Sequence, residues 1–479
     1  MNNSSIKQKA ISGAKWTTLE RLSSQGLQFV IGILVSRLVS PTDYGIVGML
    51  TIFIAFGNAI VDSGFGVAII RQEERNNEDY STVFVFNVIV GLLLYLLLFF
   101  LSPLISSFYN VSILEEIVKV YGLLLLVNSL VVVQVAKLTS ELRFKIQFIV
   151  TSVSLIVSGV VGVLLAYNGF GVWAIVWQQL SFRIAYAVLI WLNAHWRPML
   201  LFSRDSFKKL FSFGSNMLLM SFITIIYDNI YNLIIGKFYS ADYVGHYTRS
   251  QQIVNVPQSG VSQIVSKVCV PILSPYQNDN KKLLMAYEKI FRLAIFFCYP
   301  VLVGLVVLAE PLIYILLGEK WLPCVPYLRI LSLGAMCAIL TLINLNLFVV
   351  KGRSDLLLKL SIIKKIIGFT IVGLTISHGM YWICFGTSFY AICAFIINSH
   401  QTNKILGYGA LKQLLTISPV IIKALIMGAL VFLLTSLFEN AISKLLIGIL
   451  AGFITYFGIG FLVKDKSHLD CLEIIKKKI

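Results

Sequence analysis

Ionisable side chains lie inside long apolar segments of this 479-residue chain, and these side chains are its best candidates for chemistry. A charged group at membrane depth costs roughly 2.5–3.5 kcal/mol or more, so such groups usually face a cavity and often carry function. The candidates at such positions are Glu20, Arg21, Asp62, Arg183, Asp228, Arg249, Lys267, Glu310, Arg329 and Lys423. For Glu310 we favour a position near the membrane interface, which the side chain can reach from a segment end.

The candidates on the first, second, seventh and eighth apolar segments include five that we group together: Arg21, Asp62, Asp228, Arg249 and Lys267. Three of the five are cations, so a cavity that they share would be electropositive and would suit an anionic cargo. Arginine in particular forms forked hydrogen bonds with phosphate oxygens. We therefore predict that Arg21, Arg249 and Lys267 bind the substrate.

The carboxylates on the same segments admit two interpretations. Glu20, Asp62 and Asp228 could carry a proton or a sodium ion and so couple transport to an ion gradient. They could instead form intramembrane ion pairs that hold helices in register. The sequence leaves both alternatives open, and we retain the three residues as candidates for ion coupling.

The same four segments are richer in serine, threonine, asparagine and glutamine than the rest of the chain. Lipid does not tolerate that density of polar groups on an outward face. Gln25 and Gln252 are our candidates for substrate binding, because such side chains could line water or contact sugar hydroxyls. They could equally join neighbouring helices.

The sequence offers no pattern typical of an enzyme. It has no phosphate-binding loop, its seven cysteines show no CxxC spacing, and its five histidines form no HExxH pair. We therefore expect no catalytic residues, no metal and no cofactor. The net charge of +17 is explained by loops that face an anionic membrane leaflet, and we expect no nucleic-acid partner.

The elements that position these residues are membrane helices. Hydrophobic residues make up 58% of the chain and charged residues 13%, with a mean hydropathy of +0.85. Apolar runs of about 20 residues are continuous rather than alternating, which predicts about fourteen transmembrane helices and an all-α polytopic fold. Roughly twenty-five cations fall in the even-numbered linkers and termini, against about five in the odd-numbered linkers, so both termini should be cytoplasmic.

Two similar turns predict an internal repeat of the chain, although the shared Ser and Asp-Tyr could instead be a helix cap that is used twice. The turn Ser40-Pro41-Thr42-Asp43-Tyr44-Gly45 has a counterpart in Ser240-Ala241-Asp242-Tyr243-Val244-Gly245, and each turn ends a segment that begins at a glycine, Gly13 or Gly214. Repeats of the same orientation enclose substrate between two lobes. We expect lobes at 1–200 and 201–405, two appended spans at 406–463, and a basic cytoplasmic tail at 464–479. Part of that tail could form an amphipathic helix or remain frayed.

The start at Gly13-Ala14-Lys15-Trp16, the turn from Arg37 to Met49 and the stretch from Asp62 to Arg71 resemble the Wzx-type polysaccharide flippases. These proteins belong to the multidrug/oligosaccharidyl-lipid/polysaccharide exporter superfamily. The resemblance implies two six-helix lobes that form a V, with two further C-terminal helices. It also implies a cargo of undecaprenyl-diphosphate-linked oligosaccharide, and cavity arginines from the first and eighth helices, a role that Arg21 and Arg249 could fill.

The expected function is thus a flippase in the bacterial cytoplasmic membrane that works by alternating access and serves surface-polysaccharide assembly. Its expected partners are the lipid-linked oligosaccharide, membrane lipids and the polysaccharide polymerase machinery. Two alternatives are a drug/cation antiporter of the same superfamily and a polytopic sugar polymerase. The first would need an acidic cavity, and the second would need a large outer loop, whereas the outer linkers here are short.

Overall fold

The computed structural model describes residues 3–72, 76–199, 201–463 and 466–476, with side chains except at 3–12, 14, 212–213, 215–217, 219–220, 264 and 472–476. All regular secondary structure in these residues is helical. The chain divides into two compact units, Met1–Gly245 and His246–Ile479, which are called unit 1 and unit 2 below. The two units are defined by contacts within the structure, whereas the expected lobes, with a boundary near residue 200, are defined by the sequence repeat. The expected lobes therefore remain a prediction.

Unit 1 contains ten complete helices and the start of an eleventh. They are α1 (Asn3–Leu38), α2 (Pro41–Asp62), α3 (Phe65–Arg71), α4 (Asn77–Tyr109), α5 (Leu114–Tyr121), α6 (Leu123–Ser129), α7 (Val132–Ser140), α8 (Phe144–Tyr167), α9 (Val172–Ala194), α10 (Arg204–Phe238) and α11 (Ala241–Leu273).

Unit 2 contains most of α11 and eight further α-helices within the described residues. They are α12 (Asn280–Val307), α13 (Ala309–Leu316), α14 (Cys324–Val350), α15 (Ser354–Thr375), α16 (Met380–Leu406), α17 (Ala410–Thr435), α18 (Ala441–Val463) and α19 (Lys466–Lys476). The last of these shows that residues 466–476 of the expected tail are helical.

In the part of the chain that the structure describes, ten helical stretches are long and apolar enough to cross a membrane. Two of these stretches join shorter helices, α2 with α3 and α5 with α6 and α7. The helices α1, α10, α11 and α15 have the length of a span as well, at 22 to 36 residues. The prediction of an all-α polytopic membrane protein is confirmed, and the expected number of about fourteen spans is approximate.

The first copy of the repeated turn begins α2 with a complete capping box. Ser40 Oγ accepts a hydrogen bond from the Asp43 backbone N–H at 3.2 Å, and the Asp43 carboxylate accepts from the Ser40 N–H at 3.2 Å. Pro41 occupies the first turn of the helix, where no backbone donor is needed. These residue types therefore end α1 and start α2 within two residues.

The two copies of the repeated turn contact each other within unit 1. A Cβ atom on Gly45 would lie 1.6 Å from the Ala241 carbonyl oxygen, and a Cβ atom on Gly245 would lie 1.9 Å from the Pro41 carbonyl oxygen. The contact is reciprocal, since each glycine meets the first residue of the other copy's helix. Only glycine permits so close an approach of two backbones.

Unit 2 is held together by a buried network of amides and hydroxyls. Asn344 on α14 and Gln413 on α17 exchange two hydrogen bonds of 3.0 Å, and Thr402 and Tyr287 also donate to Asn344 Oδ1. Asn344, Gln413 and Thr402 are fully buried. Because polar groups in an apolar interior must be paired, this network fixes α17 against α12, α14 and α16.

Helix α19 returns to α12 through a charged contact. The Arg292 guanidinium on α12 donates to Asp470 Oδ2 from Nε at 3.0 Å and from Nη2 at 2.9 Å. Both side chains are largely buried, so the contact is more than a surface ion pair. The C-terminal residues 466–476 thus form a docked helix.

Candidate functional site

A cavity of about 1,020 Å³ lies within unit 1. Its walls come from α2, α3, α6, α7, α8, α9 and α10, all of them parts of long helical segments. The lining combines apolar side chains with polar and charged ones, chiefly Asn58, Asp62, Thr151, Arg183, Tyr186 and Thr224. Polar groups enclosed by membrane-spanning helices can contact water or a polar ligand without exposure to lipid.

Helical periodicity explains which residues of α2 and α10 line the cavity. Ala55, Asn58 and Asp62 follow one another at three- and four-residue intervals, so they lie on one face of α2. Ser221 and Thr224 do the same on α10. These two helices also contact each other, because Asn232 Nδ2 lies 3.4 Å from Thr51 Oγ1 and the rings of Phe56 and Phe222 are 5.2 Å apart.

Asp62 lines this cavity at the end of α2. Its Oδ1 accepts a hydrogen bond of 3.4 Å from the backbone N–H of Gly66, across a break where Ser63 and Gly64 adopt left-handed conformations. The carboxylate thus has both a position in the cavity and a structural contact with α3. The role that we predict for it in ion coupling remains a prediction.

Glu20 reaches the wall of the same cavity from α1. Its Oε1 accepts a hydrogen bond of 3.1 Å from the Thr151 hydroxyl on α8, and Thr151 itself lines the cavity. Asp228, the third candidate carboxylate, is exposed on α10, one turn beyond Thr224 and on the same helical face. The structure therefore places one candidate carboxylate in the cavity lining and two on adjoining helical positions.

Arg183 is the cation among the lining residues, and it forms no ion pair with Asp62 in the described structure. It is partly buried on α9, and its guanidinium carbon lies 5.7 Å from the centroid of the Phe182 ring. Its sequence position identifies it as an intramembrane charge but does not assign it to the site, because α9 is not one of the first, second, seventh and eighth apolar segments. Thr151 and Tyr186 carried no signal in the sequence that could have identified them.

The remaining predicted residues of unit 1 lie elsewhere. Arg21 and Gln25 are exposed on α1, and neither lines the cavity of 1,020 Å³. Their predicted role in substrate binding is therefore not supported by a position in this cavity, and it remains a prediction.

In unit 2 the predicted residues lie along α11. The Arg249 guanidinium Nη1 donates a hydrogen bond of 2.5 Å to Gln252 Oε1, so these two candidates are in direct contact. Lys267 is exposed 18 residues further along the helix than Arg249. The structure thus joins Arg249 to Gln252 and separates Lys267 from both.

A second, smaller cavity of about 350 Å³ lies between α11 and α14 in unit 2. Its polar lining comes from α11 alone: Asn255, Gln258, Ser259 and Ser262. These positions continue the helical face of Arg249 and Gln252 at intervals of three and four residues. Every polar group of this lining is an amide or a hydroxyl, which can donate and accept hydrogen bonds without carrying charge.

The helices and the first cavity define a multi-span membrane protein with charged and polar groups enclosed at membrane depth. Comparison with known proteins identifies its family: residues 34–326 match the family model described as "Polysaccharide biosynthesis protein", and the chain belongs to that family.

Two curated relatives are similar to this chain in sequence, and one solved structure has its fold. The teichuronic acid biosynthesis protein TuaB of Bacillus subtilis (strain 168) is 27% identical over 74% of this chain and 73% of its own length. The lipopolysaccharide biosynthesis protein WzxC of Escherichia coli (strain K12) is 26% identical over 75% of this chain and 74% of its own. The lipid II flippase MurJ, in an inward closed conformation, has the same fold: the TM-score is 0.76 over 95% of this chain and 99% of that one, at 16% identity.

Proposed function

We propose that this protein is a flippase for undecaprenyl-diphosphate-linked oligosaccharide, which it moves across the bacterial cytoplasmic membrane by alternating access. The observation that carries the proposal is the cavity of unit 1, where Arg183 and Asp62 line about 1,020 Å³ between long helices. A polar headgroup needs such a polar route because hydrocarbon offers it no hydrogen bonds.

The family and its members support the choice of cargo. TuaB and WzxC are named for the biosynthesis of teichuronic acid and lipopolysaccharide, and the structure with the same fold is titled a lipid II flippase. The first two names refer to glycans, and the third refers to the flipping of a lipid. We therefore choose a lipid-linked sugar as the cargo, because it contains both a glycan and a lipid. We extend the proposal to the polysaccharide polymerase machinery as the partner that receives the flipped units.

The direct test is translocation by the purified full-length chain in sealed vesicles. A fluorescent undecaprenyl-diphosphate oligosaccharide is reconstituted in both leaflets, and a membrane-impermeant quencher reports the fraction that remains outside. We expect the quenchable fraction to change with time in vesicles that contain the protein and to stay constant in empty vesicles. Equal rates in the two preparations would contradict the proposal.

Ion coupling by Asp62 and Asp228 is a separate part of the proposal. Net transport in one direction needs a source of free energy. A carboxylate that binds a proton or a sodium ion more tightly in one state than in the other couples transport to the gradient of that ion. With an imposed proton or sodium gradient, Asp62→Asn and Asp228→Asn should each slow translocation, and Glu20→Gln should do so if Glu20 takes part. Unchanged rates in all three variants would remove ion coupling through these residues.

The roles of Arg21, Arg249 and Lys267 in binding are tested in the same vesicles. Alanine substitution at each position should lower the translocation rate while membrane insertion remains normal. Gln25→Ala and Gln252→Ala should have smaller effects, because a neutral hydrogen bond contributes about half as much as a charge-assisted one. If Arg21→Ala and Arg249→Ala both transport normally, these arginines are not part of the binding site.

The proposed membrane orientation places both termini in the cytoplasm, as the distribution of cations indicates. Cysteines introduced at the loops 168–169 and 352–353, in a background without the native cysteines, provide a test. The odd-numbered linker at 168–169 should react with a membrane-impermeant maleimide in intact cells, and the even-numbered linker at 352–353 should react only after permeabilisation.

A further inference from the structure

Arg183 lies in the middle of its helix. It is residue 12 of the 23 residues of α9, so about 17 Å of helix extends on either side of it. Helix α9 is one of the stretches that are long and apolar enough to span the membrane. The guanidinium therefore belongs near the bilayer midplane, where an uncompensated charge costs most.

No acidic group compensates this charge. Among the described residues Arg183 forms neither a hydrogen bond nor an ion pair, and its ring contact is with Phe182. The ionisable groups that interact with it are the phenols of Tyr186 and Tyr121, which are neutral at physiological pH. The carboxylate that shares the cavity, Asp62, accepts a backbone hydrogen bond from Gly66 instead.

Three other cations within the membrane helices of this chain have partners in the protein. Arg292 donates twice to Asp470, Arg329 donates from Nε to the Val306 carbonyl at 3.2 Å, and the Lys423 ammonium lies over the rings of Phe296 and Tyr456 at 5.1 and 5.3 Å. These three cations are satisfied by the protein. Arg183 differs from them, since its guanidinium borders an open cavity of about 1,020 Å³.

We infer that Arg183 binds the phosphate or diphosphate group of the cargo when that group occupies the unit 1 cavity. A guanidinium presents five N–H donors in a rigid fork that matches two phosphate oxygens at once, and it stays protonated in any protein environment. An anionic ligand supplies the charge that the protein does not. This inference rests on the proposed function for the identity of the cargo, and it names the residue and the chemical group that are recognised.

The first test measures equilibrium binding of undecaprenyl diphosphate to the full-length protein in lipid nanodiscs. We expect Arg183→Gln to weaken this binding roughly 10- to 100-fold, which is the range for losing charge-assisted hydrogen bonds. Arg183→Lys keeps the charge but loses the fork, so its affinity should fall between those of wild type and Arg183→Gln. Binding of undecaprenol, which has no phosphate, should be the same in all three proteins.

A matched control and a competitor complete this test. Arg353→Gln removes the same charge from an exposed loop, where Arg353 pairs with Asp355, and it should bind undecaprenyl diphosphate like wild type.

Displacement of the lipid by inorganic diphosphate would show that the free anion is recognised too, whereas its failure to compete would assign recognition to the membrane-bound headgroup. Wild-type affinity in a folded Arg183→Gln variant would overturn the inference.

A second measurement uses the wild-type chain and so does not depend on how the variants fold. Phenylglyoxal modifies accessible guanidinium groups, and mass spectrometry reports the extent at each arginine. Undecaprenyl diphosphate should protect Arg183 at least severalfold and leave Arg353 unprotected, while undecaprenol should protect neither. Equal modification of Arg183 with and without undecaprenyl diphosphate would overturn the assignment. Translocation by wild type would still stand in that case, so this failure is distinguishable from failure of the proposed function.

Discussion

The cavities of the two units differ in charge although both are lined by polar side chains. The cavity of unit 1 includes a cation and a carboxylate, Arg183 and Asp62, whereas the polar lining in unit 2 consists of the amides and hydroxyls that α11 contributes. Charged groups distinguish ligands by net charge, and neutral groups distinguish them by hydrogen-bonding pattern. From this difference we predict that the unit 1 cavity binds a charged group and that the neutral groups of unit 2 suit a ligand rich in hydroxyls.

Buried amides away from these cavities show a second difference. In unit 2, Asn344 is fully buried and joined to Gln413 by two hydrogen bonds. In unit 1, Asn87 on α4 and Gln134 on α7 are also fully buried, but their side-chain amides have no hydrogen-bond partner among the described residues. Asn344 and Gln413 thus join helices of unit 2, whereas within the described residues Asn87 and Gln134 do not join helices of unit 1 through their side-chain amides.

The two repeated turns, in contrast to the cavities and the buried amides, resemble each other. Each contributes a glycine whose Cβ position is occupied by a carbonyl oxygen of the other copy. The two turns thus share residue types and a reciprocal backbone contact, whereas the side chains that line the cavities of 1,020 and 350 Å³ differ. The predictions that follow test this contrast.

The largest expected effect is at the glycine contact. Gly45→Ala would place a methyl group 1.6 Å from the Ala241 carbonyl oxygen, and the helices must separate to admit it. We expect a loss of about 3 kcal/mol or more, the upper part of the range for overpacked sites, and Gly245→Ala should match it because the contact is reciprocal. Thermal unfolding in detergent measures the change.

Gly260→Ala is the control for this prediction, since a Cβ atom there meets no neighbour within 4 Å. It should leave stability unchanged or raise it by about 0.5–1 kcal/mol through helix propensity. If Gly45→Ala and Gly260→Ala unfold at the same temperature, the repeated turns do not contact each other as described.

The next effect separates the buried amides of the two units. Asn344→Leu leaves Gln413, Thr402 and Tyr287 without their shared partner, and we expect a loss of about 2–3 kcal/mol. Asn87→Leu removes an amide that has no partner, so it should be neutral or stabilising. Unfolding of the two variants under the same conditions gives the comparison, and equal destabilisation by both would show that the amides of unit 1 are paired as well.

The repeated turn and the all-α fold could be predicted from the sequence because each depends on local features. A capping box needs only Ser40 and Asp43 three residues apart, and a span needs only a long apolar run. Asp62 lies in the lining of the unit 1 cavity, and its predicted role in ion coupling stays a prediction.

The remaining parts of the site could not be predicted because they depend on which helices are neighbours. Periodicity assigns a residue to a helical face, but it does not say what that face meets. Arg21 and Arg183 are both arginines in apolar segments, yet only Arg183 lines the large cavity of unit 1. Thr151 is likewise an ordinary helix residue until α1 brings Glu20 to its hydroxyl group.

A smaller effect should follow from changing the charge beside Arg183. Asp62 repels an anion held in the same cavity, which is about 12 Å across if treated as a sphere. At an effective dielectric constant near 20, removing that repulsion between unit charges is worth about 1.4 kcal/mol, so Asp62→Asn should bind undecaprenyl diphosphate roughly tenfold more tightly. Asp228→Asn, outside the lining, should change affinity less. Weaker binding by Asp62→Asn would show that Asp62 assists the anion rather than opposing it.

The smallest effect concerns the neutral groups of unit 2. Gln258→Leu and Ser259→Ala each remove hydrogen-bonding capacity from the cavity lining without altering charge. A neutral hydrogen bond contributes about 0.5–1.5 kcal/mol, so each variant should bind undecaprenyl-diphosphate oligosaccharide roughly two- to tenfold more weakly than wild type. Both should bind undecaprenyl diphosphate without sugar as wild type does, since that ligand has no sugar hydroxyl groups. Arg183→Gln should weaken both ligands alike, because both contain the diphosphate. If the variants of unit 2 also weakened the sugar-free ligand, the division of recognition between charged and neutral cavities would be wrong.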